Sequence, residues 1–308
     1  MWGVLAAVLS SGIGGTAVVA TRSLSKVVDP ITLGALRFGL GFVFLLPVAC
    51  LRREAWPTRR DWPGVAGLGL LFFGLFPILF NAALYFTTAA RGAIALSALP
   101  VLTMLAASAL RAETMTGRKV LGVLVTMTGV ALALLSGLST APPGAWRGDL
   151  LMLGAALVMA LYTIWSRPFV AQSGPVRFTL TAMGIGALCL VSVVAIGGGL
   201  ASVRGLAPEA WLAAAYLGII GSALVFFLWS FAVTHTTPTL VAIAVAVNPI
   251  TASLAGEVFL GERLGWNFAA GLGMVCLGIV IAATRPGLRS EQPFSEKRRF
   301  RLRIRPRG

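Results

Sequence analysis

Residues 87–113 read TTAARGAIALSALPVLTMLAASALRAE, and residues 236–262 read TTPTLVAIAVAVNPITASLAGEVFLGE. Laid side by side at an offset of 149 (236 − 87), they need no gap. Thr87-Thr88 meets Thr236-Thr237, Ala93-Ile94-Ala95 meets Ala242-Ile243-Ala244, Pro100 meets Pro249, and Glu113 meets Glu262. Further out, Trp62 meets Trp211, Leu68-Gly69 meets Leu217-Gly218, and Gly122 and Gly129 meet Gly271 and Gly278. The cassette therefore runs from Trp62 to Ala133 and again from Trp211 to Ala282. Apolar stretches match by chance readily, but Trp, Pro, Glu and Gly at one fixed offset do not. A period this long marks a duplicated subdomain rather than a solenoid. The match continues toward the N-terminus at an offset of 145, where Gly3 meets Gly148, Leu5 meets Leu150, Arg22 meets Arg167, Pro30 meets Pro175 and Gly41 meets Gly186. The change of four (149 − 145) fits a length difference in the intervening loop.

Of the 308 residues, 57% are hydrophobic and 11% charged, with a mean hydropathy of +0.90. A soluble domain needs about 25% charged residues to cover its surface. Apolar runs of about 20 residues recur from end to end, each long enough to cross a bilayer. The expected fold class is an all-α integral membrane protein. Ten helices are predicted: Trp2 to Ala20, Ile31 to Cys50, Gly64 to Phe86, Gly92 to Leu110, Val120 to Ser136, Leu150 to Ser166, Phe178 to Ile196, Trp211 to Val233, Leu240 to Leu260 and Phe268 to Ala283. The Gly/Pro/Ser-rich stretch from Gly137 to Gly144 links the two halves.

The net charge of +15 does not point to nucleic acid, because of where the charge lies. The tail from Arg285 to Gly308 carries nine Lys/Arg against Glu291 and Glu296, a net of +7 (9 − 2). It is expected to lie against anionic headgroups. With the N-terminus in the cytoplasm, the cytoplasmic loops hold nine Lys/Arg and the external loops six; the tail brings the ratio to 18 (9 + 9) to six. This fixes both termini inside. Trp56, Trp62, Trp146, Trp211 and Trp266 fall near helix ends, where an interface belt belongs. Five helices per copy is an odd number, so the second copy enters from the opposite side. The copies then form an inverted repeat, the architecture of many secondary transporters, with the substrate site near the midplane. The N-terminus lacks a basic n-region, and Ser10 to Gly15 interrupts its apolar stretch, so it is expected to remain as a helix.

The string from Pro100 to Glu113 with Gly122 and Gly129 resembles the closing half of an EamA-type domain. Asn248-Pro249 through Leu260-Gly261-Glu262, with Gly271 and Gly278, resembles it again. Trp2-Gly3 and Leu36-Arg37-Phe38 are similar to the same domain. Two in tandem, over about residues 1–284, resemble a member of the drug/metabolite transporter superfamily. The domain division is then 1–137, a linker 138–146, 147–284 and a tail 285–308. The resemblance implies a ten-helix inner-membrane carrier, often an exporter of amino acids or other small metabolites. It implies a cavity lined mainly by helices 1–4 and 6–9, with helices 5 and 10 at the edge. It implies no particular substrate.

Several residues are candidates for chemistry inside the spans. Pro100 and Pro249 sit mid-span in helices 4 and 9, where proline frees the carbonyls of Leu96 and Val245. They are a matched pair of kinks or hinges at the cavity, or packing kinks. Pro77 has Phe226 as its mate and is expected to pack. Arg37 can hold a substrate carboxylate, or can snorkel to an interface about 9 Å away. Glu257, whose mate is Ser108, is the most deeply placed acid; it is a proton-coupling candidate or an acid near the outer interface. Ser11 lies in a small-residue stretch, Ser10-Ser11-Gly12 with Gly14-Gly15, that permits close backbone approach. Asn81, Tyr85, Tyr162, Thr163, Trp229, Ser230 and Asn248 can line a cavity for a small-molecule substrate or glue helices together. Glu113 and Glu262 are expected to cap or clamp turns. Gly122 and Gly129 on helix 5, and Gly271 and Gly278 on helix 10, mark close-packing faces. A homodimer is compatible with this plan.

Enzymatic classes need acid clusters or His-rich sites. The ten acids are scattered, and His235, the single histidine, is expected in a loop. No metal and no cofactor is expected. Cys50, Cys189 and Cys276 lie in separate apolar runs and are expected as small buried residues.

Overall fold

A computed structural model describes residues 2–24, 27–86, 95–96, 98–133, 144–197, 199, 203, 205–248, 250–251, 254–255 and 266–283. Among them there are helices and connections but no strand. In chain order, α1 is Trp2–Leu24 and α2 is Pro30–Leu51. α3 runs as α-helix over Trp62–Gly69, as π-helix over Leu70–Leu75 and as α-helix again over Phe76–Phe86. α4 is Leu99–Ala109, α5 Gly117–Ala133, α6 Ala145–Ser173 and α7 Pro175–Ile196. α8 is α-helical over Pro208–Gly218, π-helical over Ile219–Leu224 and α-helical over Val225–His235. α9 is Pro238–Ala244 and α10 is Trp266–Ala283.

Among the described residues, five stretches are long and apolar enough to cross a bilayer: Pro30–Leu51, Trp62–Ala83, Ala145–Ser173, Pro175–Ile196 and Pro208–His235. Trp2–Ala17, Leu99–Ala109 and Ala269–Ala283 are shorter apolar helices. The protein is a multi-pass helical membrane protein. Its outer surface carries large apolar side chains such as Leu51, Ile196 and Leu212, and exposed Trp62, Trp146, Trp211 and Trp266 sit at helix starts. The three cysteines are exposed, not buried. Hydrocarbon solvates a small apolar side chain as well as a protein core does, so nothing drives them inward.

Proline sets many of the helix starts. Pro30, Pro63, Pro175, Pro208 and Pro238 occupy the first turns of α2, α3, α7, α8 and α9, where the missing amide has no partner to lose. α6 begins five residues before its expected start and ends seven after its expected end. The apolar run marks only the part of a helix inside hydrocarbon, and polar turns at its ends escape that signal.

The π segments were not legible in the hydropathy pattern. They fall at Leu70–Leu75 and Ile219–Leu224, separated by the offset of 149 (219 − 70) found in the sequence. The amides of Phe76 and Val225, each just past a segment, bond five residues back, to Leu71 O and Ile220 O. Pro77 lies beside only the first, so proline is not their cause.

Packing joins the two halves. α1 packs on α8 and α6 on α3; α2 packs on α7 and α8, and α7 on α3; α4 packs on α6 and α9; α5 packs on α10. The last pair meets along the glycine faces. A Cβ on Gly122 would stand 2.8 Å from Gly278 O, and one on Gly129 2.8 Å from Gly271 O. At the centre is an aromatic core. Phe72 stacks on Tyr162 at 4.2 Å and 14°, and Phe226 meets Phe73 edge-on at 5.0 Å.

Candidate functional site

The side chains singled out in the sequence separate into two groups. Three are tied to other helices. Arg37 on α2 donates from Nε to Ser222 Oγ (2.9 Å) and from Nη2 to Gly221 O (2.7 Å), both in the π segment of α8. It does not snorkel to an interface; it braces a stretch whose carbonyls lack regular α-helical partners. Asn81 donates from Nδ2 to Pro30 O (3.1 Å), pinning the start of α2 to α3. Its repeat mate Ser230 shares a 2.6 Å hydrogen bond with Thr179 on α7. Thr163 bonds within its own helix, to Met159 O (2.7 Å).

Four others are different. Ser11 Oγ, Tyr162 Oη, Trp229 Nε1 and Asn248 Oδ1 are buried and make no close hydrogen bond among the described residues, the Tyr162 hydroxyl having only the Ser230 hydroxyl, itself bonded to Thr179, beside it. Thr103 Oγ1 on α4, which sequence reasoning missed, is the same. Tyr162 and Trp229 are 1% and 3% exposed and belong to one core cluster with Phe72, Phe226 and Phe178. Gly14, one turn from Ser11 on α1, faces Asn248, just beyond α9. A Cβ at Gly14 would come within 2.8 Å of Asn248 Oδ1, so the missing side chain makes room for the amide. An orphaned buried polar group costs about 1–3 kcal/mol, and five together are a feature to be explained. All five are uncharged.

Asn248 also sits on a helix break. Beyond Ala244 the backbone switches to i→i−3 bonds: Val245 N to Ala242 O, Ala246 N to Ile243 O, and Asn248 N to Val245 O (2.9 Å). The Val245 carbonyl that Pro249 deprives of a donor is thus taken by the Asn248 amide. Pro249 and Glu257 themselves lie outside the described residues, as does the Tyr85 side chain. Pro100 is not in mid-helix. It occupies the first turn of α4, and Ala98 N bonds Ala95 O (3.2 Å) just before it.

Outside the spans, Asp29 caps α2, accepting from the amides of Ile31 and Thr32 at 3.0 Å each. Burial raises its pKa, but hydrogen bonds from Thr32 and Ile31 outweigh this and lower it from the ordinary 3.8. Glu113 caps the start of α9 through Thr239, as a turn clamp should. His235 is not in a loop; it is the last residue of α8, stacked on Phe231 at 3.9 Å. Glu54 is a capping carboxylate that the sequence hid. It lies in the α2–α3 loop and caps α7 from a distance. The one available signal is that Gly174 stands where Asp29 stands in the first copy.

Apolar helices long enough to cross a membrane, packed around buried uncharged polar groups, define a polytopic membrane protein of transporter type. The profile of the EamA-like transporter family matches residues 1–135 and 146–284, and the chain belongs to that family. The family is one of transporters rather than enzymes. The chain is 23% identical to an uncharacterized transporter of Archaeoglobus fulgidus, over 92% of its own length and 99% of the relative's. It is 32% identical to the uncharacterized protein PA1977 of Pseudomonas aeruginosa, covering 77% and 78%. It is 27% identical to a probable terminal-alkyne amino-acid exporter of Streptantibioticus cattleyicolor, covering 67% and 68%. A crystal structure 22% identical in sequence superposes with a TM-score of 0.73 over 91% of this chain and 96% of that one, a likeness of fold.

Proposed function

We propose that the protein is a secondary carrier that exports amino acids or related small metabolites across the inner membrane by alternating access. Its units are two inverted five-helix repeats, 1–137 and 147–284, joined by 138–146, giving ten spans with both termini in the cytoplasm. The basic tail 285–308 rests on anionic headgroups. Support for the repeat comes from the two π segments at the sequence offset and from helix packing that joins the halves. The amino-acid class draws support from the Streptantibioticus cattleyicolor relative.

The observation that carries a binding site is the set of orphaned groups on Ser11, Tyr162, Trp229 and Asn248, contributed by α1, α6, α8 and the break after α9. Substrate or water satisfies them when the pathway opens, at positions that lie at the repeat interface. Tyr85, Pro100 and Pro249 border the same pathway, and Glu257 is its proton-coupling acid. Arg37, Asn81 and Ser230 serve it as braces.

Proteoliposomes loaded with amino acids and small metabolites test this. Saturable, protein-dependent loss of a few compounds, identified by mass spectrometry, is the expected result; non-saturable leakage would mean a channel. Tyr162→Phe, which removes only a hydroxyl without a close hydrogen bond, should lower that efflux about tenfold while leaving thermal stability nearly unchanged. Glu257→Gln should flatten the dependence of efflux on a pH gradient.

A further inference from the structure

Two carboxylates of the first half are held on helix starts of the second half. Glu54 Oε2 accepts from the amides of Val176 and Arg177, both at 3.0 Å. The Arg177 side chain reaches back, donating from Nε to Ala49 O (3.2 Å), from Nη2 to Arg52 O (2.7 Å) and from Nη1 to Glu54 O. Its guanidinium lies 4.7 Å from the centre of the Trp56 ring. Glu113 Oε2 accepts from Thr239 N (3.1 Å) and Thr239 Oγ1 (2.9 Å) at the start of α9. Its other oxygen, Oε1, pairs with Lys119 Nζ at 2.6 Å, and the Glu113 side chain is 6% exposed.

In the ten-span topology proposed above, both clasps fall on one face of the protein. The α2–α3 and α4–α5 connections are two crossings apart, as are the α6–α7 and α8–α9 connections. Each clasped segment is also bounded by a departure from regular helix geometry. α9 is only seven residues long and ends at the break over Val245 and Ala246, beyond which helix resumes at Val247. α7 starts from Gly174, whose φ of +79° belongs to the region open to glycine. The Glu113 clasp is built to reform. Lys119 is in the first half with Glu113, so the ion pair survives when Thr239 leaves, and the carboxylate is not stranded without a partner.

We infer that Glu54 and Glu113 are positioning residues of a single gate. They hold this face shut, and α7 and α9 must leave them for the pathway to open there. The inference rests on the carrier reading for its biological meaning, but the gate itself can be measured without any substrate. A reporter cysteine at Ala242, which is 1% exposed and one turn inside Thr239, is introduced into a full-length protein with Cys50, Cys189 and Cys276 replaced by serine. In lipid nanodiscs, a charged, water-soluble maleimide should label it about tenfold faster when Glu113→Ala or Glu54→Ala is added, the effect of losing a charge-assisted cap. Unchanged labelling in either variant would overturn the inference of a single gate.

A second arm joins Glu113→Cys to Thr239→Cys with a short bis-methanethiosulfonate. Cross-linking should stop efflux from proteoliposomes and thiol reduction should restore it; full efflux from the cross-linked protein overturns the gate. This arm decides alone if Glu113→Ala does not survive purification. The two failures are distinguishable. Faster labelling with no compound ever transported keeps the gate and sinks the carrier, whereas transport with unresponsive labelling does the reverse.

Discussion

The starts of α2 and α7 are repeat mates that solve one problem in two ways. Both begin with proline, Pro30 and Pro175, and both leave two amides seeking an acceptor. In the first half, Asp29 takes the amides of Ile31 and Thr32 itself, from an extended conformation with φ −64° and ψ 157°. In the second half, the corresponding residue is Gly174, which has no side chain and a φ of +79°. There the carboxylate of Glu54 accepts from Val176 and Arg177, the mates of Ile31 and Thr32 at the same offset of 145 (176 − 31). Position in the repeat thus fixes which amides must be satisfied, but not which residue satisfies them. A local cap only stabilises its helix; a borrowed cap also ties one half to the other.

The largest effect is expected at Gly174. A Cβ there would collide with the Glu54 carboxyl, and its φ is strained for any other residue. Gly174→Ala should destabilise the protein by about 3 kcal/mol in thermal unfolding in detergent micelles. A neutral outcome would mean that α7 can start without this geometry. Next comes Glu54→Ala, expected to cost about 2 kcal/mol because the amides of Val176 and Arg177 lose a charged acceptor together. Asp29→Ala should cost about 1 kcal/mol, the ordinary value of a local cap. Equal losses at Glu54 and Asp29 would erase the distinction between the two caps. The smallest effect is in pH. The folded-state pKa of Asp29 lies below 3.8, so its stabilising contribution is complete above that value and fades as pH falls through the lower one. Comparing parent with Asp29→Asn in acid denaturation should show that fading in the parent alone.

The all-helical membrane fold was legible because it is written in spacing and in apolar runs. The offset of 149 residues placed Thr236-Thr237, Pro249 and Glu262 opposite Thr87-Thr88, Pro100 and Glu113, and apolar runs placed most of the helices. The clamp role of Glu113 was legible because an acid in a short connection has few other uses. The division among polar side chains was not. Asn81 and Tyr162 look alike in sequence: each is an amphipathic residue in an apolar run. Only the packing gives Asn81 the carbonyl of Pro30 and leaves the Tyr162 hydroxyl without a close hydrogen bond among the described residues. Arg37 was placed correctly inside a span, but its partners Gly221 and Ser222 lie 184 and 185 residues away, in a π segment with no hydropathy signature.

Those π segments change how the chain counts. Each turn of this kind houses an extra residue without advancing the helix face, whereas one residue in a regular α-helix turns everything after it by about 100°. α3 therefore carries a spare residue within Leu70–Leu75. Removing Gly74 should let α3 run through as an ordinary helix with Asn81 still aimed at Pro30, while the same deletion one turn beyond the segment would swing Asn81 away. The length of these helices is adjustable by one residue here, and at few other places along them.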